Sequence, residues 1–362
     1  MARIAVSSGS RRIWGIIGVL TAALWVVLRS GTGIVPGADW HYDATPIWPA
    51  RPSNPDEWYL SDSPLGILIA RALGLDNLQQ FLQLHAVVVV LALSVLAAWA
   101  YVVTEGDDAK WRAARLSVLA PVGAVLLTWI GRYDAFTVLI WGIALFCWAS
   151  GRSTLLVGAG ILLGFQHFEH SLLGATALWL TWLALRLRLP ASLQQVNPLW
   201  LLPGILVGKL SLVVIFAVQG LPVTGRADWI ERFFFDWTVV AISIFPLLLW
   251  SLFAGWWALV ISLYLESTHR KRLLLLGAFF IGVVATLLSG DRPRVFILIL
   301  VPAVALSAVA FVGSDDKNKR RKVLVEAIIW IAPPIIFWGD AVTNVNVVDP
   351  LITAFNAIFR SA

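Results

Sequence analysis

From Leu116 to Ser150 the sequence carries only two charges, Arg132 and Asp134, and they stand together in the stretch Gly131-Arg132-Tyr133-Asp134. The runs on either side, Leu116 to Ile130 and Ala135 to Ser150, are uncharged and close to the length that crosses the roughly 30 Å hydrocarbon core of a bilayer. Two crossings joined by so short a connection form a hairpin, with both charges at one membrane surface. Runs of this kind recur along the chain. Their backbone polar groups must be satisfied within each segment, and at this length and continuity helices do that, not barrel strands. The fold predicted is therefore all-α and polytopic, one integral membrane domain over residues 1–362.

Composition agrees. The chain is 59% hydrophobic and 13% charged with a mean hydropathy of +0.82, whereas soluble domains carry roughly a quarter charged residues. A net charge of +6 would suit nucleic acid, but most of the 27 Lys and Arg fall in short connections on one side of the predicted layout. That is the positive-inside pattern, and it argues against a nucleic-acid partner. The lone Cys147 lies inside an apolar run, which excludes a disulfide and a thiolate metal cluster. Arg outnumbers Lys and Ala, Gly and Trp are abundant, a composition that points to a GC-rich bacterium and its inner (plasma) membrane.

Taken in order, the runs predict about eleven transmembrane helices. Ile13 to Leu28 is the first, read as an uncleaved anchor with the N-terminus cytoplasmic. An outer loop over about 30–83 follows, with a surface helix at about 64–81 whose Leu65, Leu68, Ile69, Ala72 and Leu73 share one face. Further spans are read at about 84–103, 116–130, 135–150, 154–165, 171–185, 199–218, 239–264, 273–289, 295–312 and 324–338. A second outer loop, 219–237, contains Trp229, Phe233 and Trp237 at four-residue spacing beside Asp228, Arg232 and Asp236, a second surface helix. The tail, 339–362, falls outside. In the fifth span Gly160-xxx-Gly164 would let another helix approach closely.

On this layout polar residues gather on the outer face. Arg132, Arg292 and Arg294 occupy short outer turns, where cations are disfavoured, each with an acid near by at Asp134 or Asp291. A guanidinium holds a phosphate bidentately, so these turns would cradle a lipid phosphate; alternatively each is a local Arg–Asp pair. In the first outer loop Asp39 and Asp43 flank Trp40, His41 and Tyr42, a combination that suits sugar binding, the rings stacking on C–H faces while acids hold hydroxyls. The alternative is a solvated loop within an interfacial aromatic belt. His167, Glu169 and His170 lie at a span end and read as a hydrogen-bonded helix terminus, as substrate contacts, or as part of a divalent-cation site lacking a third clear ligand. Lys209 is the one cation within a span, either functional or snorkelling.

The arrangement resembles the GT-C superfamily of membrane glycosyltransferases: a cytoplasmic N-terminus, a long acidic first outer loop with a surface helix, then hairpins with polar tips outside. The stretch that corresponds to the family's first-loop acid is Asp39-Trp40-His41-Tyr42-Asp43, without an Asp-x-Asp or Asp-Glu motif. The resemblance implies a polyprenyl-phosphate sugar donor and a glycan or lipid acceptor. Asp39 or Asp43 would be the base, and Arg132, Arg292 and Arg294, with Asp134, His167, Glu169, His170 and Asp291 around them, would bind phosphate and substrate. Two other classes remain open: a transporter or flippase of a lipid-linked saccharide or anionic lipid, and a non-catalytic assembly subunit.

Overall fold

A computed structural model describes residues 8–35, 37–50, 52, 58, 61–221, 234–236, 238–242, 245–287, 292–314, 319–334, 337–338 and 341–342. Among them, six helical stretches are long and apolar enough to cross a membrane: Arg12–Ser30, Leu78–Val103, Asp107–Thr128, Pro198–Val218, Leu248–Leu265 and Arg294–Gly313. The apolar helix Asp134–Ala149 is shorter. The one ladder among the described residues is a two-residue pairing, β1 (Phe337–Trp338) with β2 (Ala341–Val342). The surface helix read around Trp229 and Phe233, residue Asp291, and nearly all of the 339–362 tail lie outside the described residues.

The centre of the bundle is α13 (Arg292–Gly313), whose apolar window is 94% buried. From Val295 to Val312 it holds no charge, and a helix apolar on every side belongs in the interior. At the periphery α1 (Ser8–Ser30) is only 28% buried over its window and leaves Ile13, Trp14, Leu20 and Leu24 exposed. Such a face suits lipid contact.

Several helices begin, break or stop away from the boundaries expected from the sequence, each for a local reason. The first-loop helix α3 (Pro64–Ala72) ends before Gly74, which adopts the left-handed conformation at φ +62. Asn77 then caps α4 (Leu78–Val103) by accepting from the Gln80 amide, so residues 78–81 belong to the spanning helix. The face of α3 that packs inward is Gly66, Ile67 and Ala70, while Leu68, Ile69 and Leu73 are exposed. The stretch expected as one span at 116–130 is two helices, α5 (Asp107–Val118) and α6 (Pro121–Thr128), because Pro121 cannot continue the first. A second break, Ala254–Trp256, divides α10 (Phe245–Phe253) from α11 (Trp257–Leu265). The two breaks meet: Trp256 Nε1 donates to the Leu119 carbonyl at 3.1 Å, satisfying a backbone group that the first break frees. The helix α14 (Lys319–Ile331), the last among the described residues, stops short of the expected 338, since Pro333 and Pro334 follow.

The helix α8 (Ser153–Leu185) carries a non-helical residue, His167, with φ −160 and ψ 83. Ser171 Oγ donates to the Leu163 carbonyl at 3.0 Å. Continuous helix would hold those residues about 12 Å apart, so the chain doubles back at His167 into two arms. The first arm packs on α9 (Leu201–Val218) with Gly160 against Gly204 and Gly164 against Gly208. A Cβ at Gly164 would fall 2.0 Å from the Ile205 carbonyl oxygen. Two small-xxx-small stripes therefore face each other and advance together, so this arm and α9 run parallel.

Charges at the far helix ends satisfy one another. Arg112 pairs with Glu326, and Glu266 takes both Arg188 at 2.9 Å and Arg321 at 3.5 Å.

Candidate functional site

The site begins as a backbone clamp. After α1, residues 33–35 run alongside the end of α6: Gly33 N donates to Leu127 O, Ile130 N to Gly33 O and Val35 N to Ile130 O, each at 3.0 Å. Gly33 is required here, since a Cβ would lie 2.8 Å from the Thr128 carbonyl oxygen. At the turn that follows, Gly131 adopts φ +108 against Ala38 and Leu82, a conformation that favours glycine. The clamp sets α2 (Ala38–Ile47) on the Gly131-Arg132-Tyr133-Asp134 turn and starts α7 (Asp134–Ala149) beneath it.

Three charges from distant sequence converge at this turn. Arg294, in the first turn of α13, sets Nη1 2.8 and 3.1 Å from the two carboxylate oxygens of Asp134. Asp134 heads α7, where a carboxylate is favoured by the helix dipole. The guanidinium carbons of Arg132 and Arg294 lie 5.5 and 5.7 Å from the Trp129 ring centroid. Arg132 and Asp134 are buried. Two guanidiniums and one carboxylate thus gather beside a single indole.

The wall against this cluster is aromatic and imidazole. Residues 38, 41, 44 and 45 form the buried face of α2. Thr45 Oγ1 donates to the His41 carbonyl at 2.8 Å, so in the 2.6 Å contact between Thr45 and Tyr133 the phenol is the donor. Burial pushes the Tyr133 phenol above its ordinary value. His41 is held well below the ordinary imidazole value, first by burial and then by Arg132, His85 and Arg294. His85, fully buried on α4, packs on Phe81, Tyr133 and Phe136. Its Nδ1 faces the Phe81 carbonyl at 2.8 Å and its Nε2 meets no hydrogen-bond partner. Gln166, also fully buried, ties the turn to two other elements: Nε2 donates to Tyr133 O at 3.3 Å, and Oε1 accepts from Gly66 N at 3.2 Å.

One residue beyond Gln166 the α8 reversal holds a second polar group. The His167 and His170 rings stack at 3.7 Å and 12°. Glu169 lies 4.0 Å from His167 Nδ1 and 3.6 Å from Lys209 Nζ, and Lys209 covers the Phe168 ring at 5.4 Å. Lys209 therefore takes the charge of Glu169 instead of standing alone inside its helix. Stacked rings direct their in-plane lone pairs side by side and not toward one point. Among the described residues no three His, Cys, Asp or Glu side chains gather as metal ligands do.

Of the residues singled out from sequence, Arg132, Asp134 and Arg294 come together, and His167, Glu169 and His170 form the neighbouring group through Gln166. Asp39 and Asp43 stand on the exposed face of α2, opposite His41 and Thr45. Arg292 begins α13, and its side chain, like Asp291, lies outside the described residues. The residues that sequence reasoning passed over are His85, Tyr133, Thr45, Gln166 and Trp129. His85 had a usable signal, because an ionisable side chain within an apolar span is a functional suspect by default.

A separate apolar cavity of about 480 Å³ opens between α10 and α12 (His269–Leu287), lined by Phe245, Leu248, Leu252, Phe280, Val283 and Leu287 among others. No family model, curated protein or solved structure matches this chain.

Proposed function

We propose that the chain is a bacterial inner-membrane glycosyltransferase of the GT-C kind, with about eleven spans, a cytoplasmic N-terminus and an extracytoplasmic C-terminus. It transfers a sugar from a polyprenyl-phosphate donor to a glycan or lipid acceptor on the outer face. One observation carries this reading: Arg132 and Arg294, some 160 residues apart, converge beside Trp129 with Asp134 bound to Arg294. Fixed guanidiniums in a recess of low dielectric stabilise the charge that develops on a departing phosphate. Asp134 orients Arg294, Arg132 meets the phosphate oxygens, and Asp39 or Asp43, on the exposed face of α2, orients the acceptor. Inverting displacement at the anomeric carbon follows.

The test is binding and turnover of a polyprenyl-phosphate sugar by purified protein in lipid nanodiscs. Arg132→Ala and Arg294→Ala should each lower turnover at least a hundredfold while the protein still folds. Undiminished turnover in both folded variants would remove the cluster from the mechanism. A second reading, a flippase for a lipid-linked saccharide, draws on the Glu169–Lys209 pair beside the reversal in α8, since transport sites use interrupted helices within the bilayer. Hydrolysis-free translocation across sealed vesicles, with no donor cleavage in detergent, would favour it.

A further inference from the structure

One group packed on Tyr133 of the arginine-bearing turn has a chemistry that phosphate binding alone leaves unused. His41 is 7% exposed and its ring lies 5.7 Å from that of Tyr133, edge to face. Its Nδ1 is buried and meets no hydrogen-bond partner. Buried polar atoms are almost always satisfied, and an orphan calls for a ligand that supplies the missing donor. The helical spacing makes this placement specific: His41 and Thr45 point into the bundle, while Asp39 and Asp43 share the exposed face of the same helix.

Building on the phosphate reading above, we propose that His41, not Asp39 or Asp43, is the catalytic base, and that it acts only while an anionic phosphate occupies Arg132 and Arg294. The acceptor hydroxyl donates to Nδ1. As the acceptor oxygen forms its bond to the anomeric carbon, its proton passes to Nδ1. The bond from the anomeric carbon to the phosphate oxygen breaks, and its electron pair leaves on the phosphate. Imidazole becomes imidazolium, and the new anion lies on the guanidiniums beside it.

The dependence on the anion follows from what surrounds His41. Its ring packs on Tyr133 of the turn, and the charges that act on it come from His85 on α4, Arg132 in the turn and Arg294 on α13, with Asp134 committed to Arg294. On α3, Arg71 is bonded to the Trp48 carbonyl. Arg132 and Arg294 both oppose protonation of the imidazole in the free protein, as does its burial. A phosphate anion on the arginines cancels that field, so proton affinity and phosphate affinity rise together by linkage. The free protein keeps His41 neutral and ready to accept, and the donor substrate makes it basic.

A dialkyl phosphate is the probe, because it carries one negative charge and has no proton to exchange near neutrality. Calorimetric titration in two buffers of different ionisation enthalpy, at pH 6 to 7, reads protons taken up on binding. The expected result is fractional proton uptake by the wild type, with affinity rising up to about tenfold per pH unit lowered. His41→Gln should bind without proton uptake, while His269→Gln, an exposed histidine of α12, should behave as the wild type. Uptake retained in His41→Gln, or wild-type binding with no uptake, overturns the base assignment and leaves the phosphate site standing. No binding at all removes both. Should His41→Gln fail to fold, nitrogen-labelled histidine spectra of the wild type, which has five such rings, follow the same proton; an imidazole nitrogen that stays unprotonated when phosphate binds overturns the proposal equally.

Discussion

Arg294 and Asp134 stand in the first turns of two different helices, α13 and α7, and join them by a partly buried contact with Nη1 2.8 and 3.1 Å from the carboxylate oxygens. The pair commits the central helix of the bundle to the Gly131–Asp134 turn. Breaking such a pair by removing one partner leaves the other charge uncompensated and largely shielded from water, at a cost of up to about 3 kcal/mol, the lower end for a fully buried pair. Asp134→Asn should lower unfolding stability by about that amount. The double variant Asp134→Asn/Arg294→Met should recover much of it, because the orphaned guanidinium is gone. Denaturant titration of the purified protein checks both, and an unrecovered double variant would show that the pair is not the source of the loss.

His41 links stability to pH. Its folded pKa is depressed below the unfolded value of about 6.5, so the folded state disfavours the proton. The stabilisation is full above pH 6.5 and is lost as pH falls below it toward the folded value. Thermal midpoints should therefore decline from pH 7 to pH 5, and His41→Gln should flatten that slope. An equal slope in the variant would assign the acid sensitivity to another group.

Tyr133 gives the opposite sign. Its phenol is raised above the ordinary value, so the folded protein holds the proton and its contribution fades as pH rises past 10. In an absorbance titration the wild type should show a component that stays un-ionised as pH rises past 10. Tyr133→Phe should remove that lagging component and cost about 1 kcal/mol, the net worth of the hydrogen bond to Thr45.

The interlocked glycines of α8 and α9 predict a steric effect. Gly164→Leu places a side chain where the Ile205 backbone now sits, so the helices must part. A loss of several kcal/mol is expected from overpacking at a fixed backbone contact. Lys209→Met, by contrast, removes one side of a partly exposed pair and should cost under about 1 kcal/mol. Unfolding midpoints of the two variants should differ accordingly.

How far the sequence foretold this structure depends on the range of the interaction. The Gly131–Asp134 turn was legible because two uncharged runs left no other place for its charges. The Gly160-xxx-Gly164 stripe was legible as a packing surface, though its partner Gly204 and Gly208 was not named, since a stripe specifies an approach distance and not an address. The meeting of Arg294 with Asp134 was not written in either turn, because each arginine could equally have closed on its local acid. Asp39 and Asp43 attracted the catalytic reading through their charge, yet helical spacing turns them outward and His41 inward. The extent of the first-loop helix was misjudged at its end, where Gly74 and the Asn77 cap outweigh an apolar pattern that continues through them. His85 went unseen because a lone histidine hardly disturbs the hydropathy of its run.

The short strand-like clamp between residues 33–35 and 127–130 is made of main-chain groups, so its register is indifferent to which side chains Ile34 and Ile130 carry. Substitution can drift freely at those two positions without moving α2 relative to the arginines. Gly33 is the reverse, because one methyl group there meets a carbonyl at 2.8 Å and would pry the first loop from the turn. In a random mutagenesis library, tolerance along this segment should drop sharply at position 33 and return on either side. The geometry of the arginine cluster is thereby inherited through a backbone contact that most mutations cannot touch.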